Sequence, residues 1–160
     1  TVGSIEPISL VTFIKKRFKV GKRDIDDEII KKIFDITDMI TGDIQQVCEA
    51  IWSTSSYGDK INYESLSKAI DLIFSHESIV YQQIFRILTN FQLKVVKAVA
   101  KYGGVEIYSN NFFEKNGFTN SSSVKRGVDK LIKSQVLFVN KKEYKFVNPF
   151  FKLWLLKNHI

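Results

Sequence analysis

The stretch from Ser121 to Phe151, SSSVKRGVDKLIKSQVLFVNKKEYKFVNPFF, decides how the rest of the chain is read. Its first part places Val124, Val128, Leu131 and Ile132 on one side of a helix and Ser122, Arg126, Asp129, Lys130 and Lys133 on the other. Two short apolar runs follow, VLFV and YKFV, separated by NKKE. That is the pattern of a hairpin with Lys141 and Lys142 at its tip. Asn148-Pro149 then opens a last apolar helix, PFFKLWLLKN, because proline suits the first helical position, where no N–H partner is needed.

Working upstream, NFQLKVVKAVAKYGG reads as a helix stopped by paired glycines, VEIY as a short extended segment and NNFFEKNG as a brief helix closed by Gly117. Ser121 or Ser122 can cap the helix that follows. Helix, strand, helix, helix, strand, strand is the order of a winged helix-turn-helix, expected over residues 89–160. Residues 1–88 read as helices throughout. Pro7 starts one with Val11, Ile14 and Phe18, and Gly21 ends it; Asp24 or Asp26 caps a second with Ile29, Ile30, Ile33 and Phe34. A third, from Thr41-Gly42, carries Ile44, Val47, Cys48, Ile51 and Trp52. A fourth starts at Asn62 or Ser65, and SHES separates it from a fifth with Val80, Ile84, Ile87 and Leu88. No strand pattern interrupts them, and each apolar stripe is one-sided, so they must pack on one another. The expected fold class is mainly α: a small helical bundle, 1–88, then a winged helix-turn-helix with a small β-hairpin, 89–160.

Charge divides at the same place. Residues 1–88 hold 11 Lys/Arg against 13 Asp/Glu, and residues 89–160 hold 13 against 4. Such asymmetry favours a polyanionic partner for the second part. In helix-turn-helix proteins the outward face of the third helix enters the DNA major groove while a basic hairpin touches the flanking backbone. The residues placed for those contacts are Ser122, Ser123, Lys125, Arg126, Lys130 and Lys133 on the helix and Lys141 and Lys142 at the hairpin tip. Double-stranded DNA held mainly through phosphates is the partner expected. Arg126, the one guanidinium in the basic part, is the candidate for reading a guanine, so modest sequence specificity is expected. The alternatives are that the lysines solvate an ordinary surface, or that the winged helix docks on protein. PFFKLWLLKN favours docking, since Phe150, Phe151 and Trp154 belong to a helix more apolar than one small core easily buries.

Several function classes are excluded. No run approaches the length of a membrane span, and TVGSIEPISL lacks the features of a signal peptide, so the cytoplasm is expected. Cys48, the single cysteine, lies in apolar IQQVCEAIW and reads as an inert thiol. KVGKR is not a phosphate loop, having Lys16 where the motif needs its first glycine and Arg23 where it needs Ser/Thr. His76 and His159 have no metal-ligand spacing. No catalytic set, metal or cofactor is expected in these residues, and the start at Thr1 reads as a piece of a longer protein.

ITDMITGDIQQVCEAIW, IFRILTNFQLKVVKAVAKYGG, SSSVKRGVDKLIKSQVL and YKFVNPFFKLWL together resemble, in order and spacing, the C-terminal part of archaeal-type P-loop ATPases of the AAA+/STAND group. Its most specific pieces are Gly42, the entry at Leu88, Thr89 and Gln92, and the closure at Tyr144, Phe146, Pro149, Phe150, Phe151 and Trp154. Family members often show Gly-His-Pro where this chain has Gly42-Asp43-Ile44, and Asp-Pro where it has Asn148-Pro149. The resemblance implies a nucleotide-binding domain upstream, a lid over residues 1–88 and the winged helix after it, with ATP and Mg bound by the parent protein and not by this part. It also implies two alternatives for the winged helix: gripping DNA, as in origin-recognition ATPases, or acting as a regulatory switch against its own ATPase domain or another protein, as in signal-transducing ones. A homo-oligomer of the full-length protein stays open.

Overall fold

The structure, a computed structural model, describes residues 6–160 and divides into two compact units that meet at His76 and Glu77. The first unit contains α1 (Pro7–Val20), β1 (Asp24–Ile25), α2 (Asp27–Thr37), α3 (Thr41–Thr54), β2 (Lys60–Ile61) and the start of α4 (Tyr63–Ile87). Leu10, Ile14 and Phe18 of α1, Ile29, Ile30 and Ile33 of α2, and Ile44, Val47 and Ile51 of α3 are buried and form the core; of the expected stripes, Val11 and Cys48 are half-buried and Trp52 is exposed, with Leu10 buried beside Ile14. Helix α2 ends where Asp38 turns into the left-handed region, φ 53°, its N–H bonded to the Phe34 carbonyl.

Two expectations for this unit are corrected. The helices are interrupted after all: β1 and β2 pair in parallel, Asp24 beside Lys60 and Ile25 beside Ile61, and both isoleucines are buried. SHES does not break the chain, because α4 runs without a gap from Tyr63 to Ile87. The segment contains no glycine or proline, and the Ser75 hydroxyl donates to the Leu72 carbonyl at 2.7 Å, satisfying itself within the helix. The helix starts as expected at Asn62, whose Oδ1 accepts from the Ser65 N–H while Ser65 Oγ accepts from the Asn62 N–H.

The second unit holds the end of α4, then α5 (Asn90–Tyr102), α6 (Asn110–Asn116), α7 (Ser121–Lys133), β3 (Leu137–Asn140), β4 (Glu143–Phe146) and α8 (Pro149–Asn158). Thr89 and Gln92 form a reciprocal capping box at the start of α5: Thr89 Oγ1 accepts from the Gln92 N–H at 3.1 Å, and Gln92 Oε1 accepts from the Thr89 N–H at 3.0 Å. Gly103 stops the helix at φ 86°, a conformation that costs a β-carbon dearly. Helix α5 packs against both α7 and α8, burying Val95, Val96 and Val99.

VEIY forms no strand. One backbone bond, from the Tyr144 N–H to the Gly104 carbonyl at 2.9 Å, links this loop to β4, and that single bond does not make a ladder. A β-carbon on Gly104 would lie 1.7 Å from the Tyr144 carbonyl oxygen, so the approach is one only glycine permits. β3 and β4 pair antiparallel with Leu137 opposite Phe146 and Asn140 opposite Glu143, leaving Lys141 and Lys142 as a two-residue turn.

Helix α8 buries the three side chains expected to dock. Asn148 caps it, its Oδ1 accepting from the Phe150 and Phe151 N–H groups at 3.0 and 3.3 Å. Phe150, Phe151 and Trp154 are buried. The Phe151 ring lies 6.0 Å from Tyr81, 6.2 Å from Phe146 and 5.9 Å from Trp154, and Trp154 lies 5.8 Å from Tyr81. The C-terminal part of α4 and the hairpin supply the apolar surface that the small core was expected to lack. At about 1.5–3 kcal/mol for each large apolar side chain buried, these three residues anchor the unit.

Candidate nucleic-acid interface

Helix α7 is capped by Asn120, one residue before the expected serines, with Asn120 Oδ1 accepting from the Ser123 N–H at 3.2 Å. The asparagine wins because its longer carbonyl reaches the third helical N–H, and Ser121–Ser123 become the first turn. One donor expected for an anion is therefore already used, while the Ser122 side chain remains exposed. Val124, Gly127, Val128 and Leu131 are buried, and Lys125, Arg126, Asp129, Lys130 and Lys133 are exposed opposite them. The outward face is the expected one, with four cations and one carboxylate.

The turn between β3 and β4 places Lys141 at φ 50° and Lys142 at φ 66°. Both lie in the left-handed region that a two-residue hairpin demands and that Asn-Gly usually fills. Lysine there costs on the order of 1 kcal/mol per residue, so the hairpin carries its tip charges against a local preference.

A groove of about 860 Å³ opens between this hairpin and the loop after α5, lined by Val105, Tyr108, Val139, Lys141, Lys142 and Tyr144 among others. The Tyr108 and Tyr144 rings meet edge to face at 6.3 Å. Burial pushes the Tyr108 phenol well above its ordinary pKa, helped by its hydrogen bond with Tyr144 and by the carboxylate of Asp129. Helix α7 also packs against β3, the first strand of the hairpin.

The lysines of α5 and α6 behave differently. Lys94 donates to the Gly117 carbonyl at 3.0 Å and sits 4.9 Å over the Phe118 ring. Lys97 lies over Phe85 at 5.7 Å, and Lys101 and Lys115 both lie over Tyr102, at 5.2 and 5.5 Å. On the interface side, Lys125 lies 3.9 Å from Asp129 and Arg126 donates a long bond to the Ser123 hydroxyl, 3.4 Å. The side chains of Lys130, Lys133, Lys141 and Lys142 have no ion pair, hydrogen bond or ring contact among the described residues. Sequence reasoning found the basic face, but only the fold separates cations engaged at home from those held outward.

Comparison with known families now bears on the architecture. Residues 79–157 match the family model described as a probable winged helix domain. The second unit is a winged helix, with α5, α6 and α7 as its three helices and β3–β4 as its wing. Comparison with curated proteins and with solved structures gives no match. Among the described residues no helix is long and apolar enough to cross a membrane, and no group of His, Cys, Asp and Glu is placed to hold a metal ion. Burial, with Glu49 nearby, pushes the Cys48 thiol up to about 11, which leaves it a poor nucleophile at neutral pH.

Proposed function

We propose that the winged helix binds duplex DNA, chiefly through phosphates, with α7 facing the major groove and the wing tip against the adjacent backbone. The observation that carries this reading is the division of labour among the cations. Those of α5 and α6 are engaged with rings and a carbonyl of their own unit, whereas Lys130, Lys133, Lys141 and Lys142 are exposed and without partners among the described residues. Phosphate oxygens would complete them. Family membership of the 79–157 segment supports the same reading, since winged helices commonly serve as DNA-binding elements. A docking switch loses the anchors first assigned to it, because Phe150, Phe151 and Trp154 are interior. The ATPase parent rests on the sequence resemblance alone, and a phosphate loop and acidic strand end upstream of Thr1 would establish it.

The test is a salt titration of a 20-base-pair duplex with the 160-residue chain. If four or five phosphates are neutralised, log affinity falls against log salt with a slope of about −4, a loss of a few hundredfold between roughly 50 and 200 mM. Undetectable binding at low salt, or a flat salt response, would remove the proposal.

A further inference from the structure

Asp129 is the anomaly of the proposed interface. At about 100° per residue, the direction opposite buried Val124, Val128 and Leu131 is occupied by Ser122, Arg126 and Lys133, with Asp129 beside them, so the one carboxylate of α7 stands within the face meant for a polyanion and on the same side as Arg126. Local structure gives little reason for it. Its pairing with Lys125 is long, 3.9 Å, both side chains are exposed at 70% and 61%, and a lysine preceding the acid is the weaker order for such a pair. Among phosphates a carboxylate is repelled. Against base edges it has a use.

We infer that Arg126 and Asp129 together select G·C base pairs, with Asp129 as the discriminating residue; this rests on the DNA-binding reading above. In the major groove the cytosine amine has an acceptor on one side only, the guanine O6, and a C5–H on the other, whereas the adenine amine stands between its own N7 and the thymine O4, so that a carboxylate oxygen is repelled on both sides. Asp129 therefore fits cytosine. Arg126, one turn earlier, presents the planar fork that matches guanine O6 and N7. Residues three apart on a helix have β-carbons about 5–6 Å apart, which suits neighbouring base pairs stacked about 3.4 Å apart. The acid also repels phosphates unless a cytosine amine is present, so it weakens binding to the wrong site as well as favouring the right one.

The experiment is fluorescence anisotropy at fixed salt with 20-base-pair duplexes that share A·T flanks and differ only in a central pair of steps, G·C in all orientations or A·T. The intact chain should prefer the best G·C centre by about tenfold or more. Asp129→Ala should bind the A·T duplex a few times more tightly than the unaltered chain and lose most of that preference. Asp129→Asn should turn it toward A·T, since an asparagine amide pairs with adenine. Arg126→Lys should lower the preference with the salt slope unchanged. Equal binding of both duplexes with a steep salt slope would overturn this inference and leave the DNA-binding reading standing, as would full G·C preference in Asp129→Ala. Binding to neither duplex at low salt would overturn the reading itself.

Discussion

Two basic stretches of this chain look alike in sequence and end differently in the fold. Residues 15–23, KKRFKVGKR, hold six Lys/Arg and no acid, as dense a run of charge as any in α7 or the wing. Much of it is engaged at home. Lys15 pairs with Asp27, Lys22 stands over the Tyr57 ring at 5.3 Å, and Arg23 clamps the end of α3. Its Nε donates to Ser55 Oγ at 2.7 Å and its Nη2 to the Ser55 carbonyl at 3.0 Å, with the guanidinium 4.1 Å over Trp52. Asp24, Asp26, Asp27 and Glu28 follow immediately, and among the described residues Lys16, Arg17 and Lys19 have no ion pair, hydrogen bond or ring contact. On α7 and the wing, by contrast, seven Lys/Arg between residues 125 and 145 meet two acids, and four of the lysines have no partner among the described residues. Density of charge alone does not mark an interface; cations with neither a partner nor a run of acids beside them do.

The largest test of that contrast replaces equal numbers of lysines on the two sides. Lys130→Glu with Lys133→Glu should weaken duplex binding about a hundredfold near 100 mM salt and lower the salt slope by about two, as two phosphate contacts become repulsions. Lys16→Glu with Lys19→Glu should change affinity by less than about threefold under the same conditions. Anisotropy titrations read both, and equal losses would erase the distinction.

A smaller effect is expected at Arg23. Its loss in Arg23→Ala leaves the last carbonyls of α3 without donors and should lower the unfolding free energy by about 1–2 kcal/mol in urea melts, with DNA affinity unchanged. Unchanged stability with a fall in affinity would move Arg23 into the interface. Smallest is the wing tip. Lys141→Asn with Lys142→Gly supplies the residues its backbone prefers, and should raise stability by about 1 kcal/mol while weakening DNA about fivefold. A variant that gained stability without losing affinity would show that the tip lysines touch nothing.

Where helix boundaries are set by local chemistry, they could be read directly. Gly117 and Asn148-Pro149 end and begin helices as expected, NFQ begins α5 as expected, and the outward face of α7 follows from periodicity alone. The misreadings have a common cause in contacts distant along the chain. β1 and β2 are two residues each, too short to show alternation, and pair with a segment dozens of residues away. VEIY has the composition of a strand but no partner beyond one bond to Tyr144. PFFKLWLLKN looked excessive for a small core because Tyr81 and Phe85, which cover it, lie on a helix that was expected to belong elsewhere. The site followed the same rule: positions of the lysines were visible, their engagements were not.

Gly104 bears neither charge nor ring, yet the wing hangs from it. Its carbonyl accepts the Tyr144 amide, and its α-carbon lies so close to the Tyr144 carbonyl oxygen that a β-carbon would have no room, so the aim of two lysines at the far end of the hairpin is governed by a hydrogen atom standing where every other amino acid keeps a carbon. A methyl group introduced there would swing the wing away from α7 without altering a single ionisable group, and so separate where the charge stands from how much of it there is.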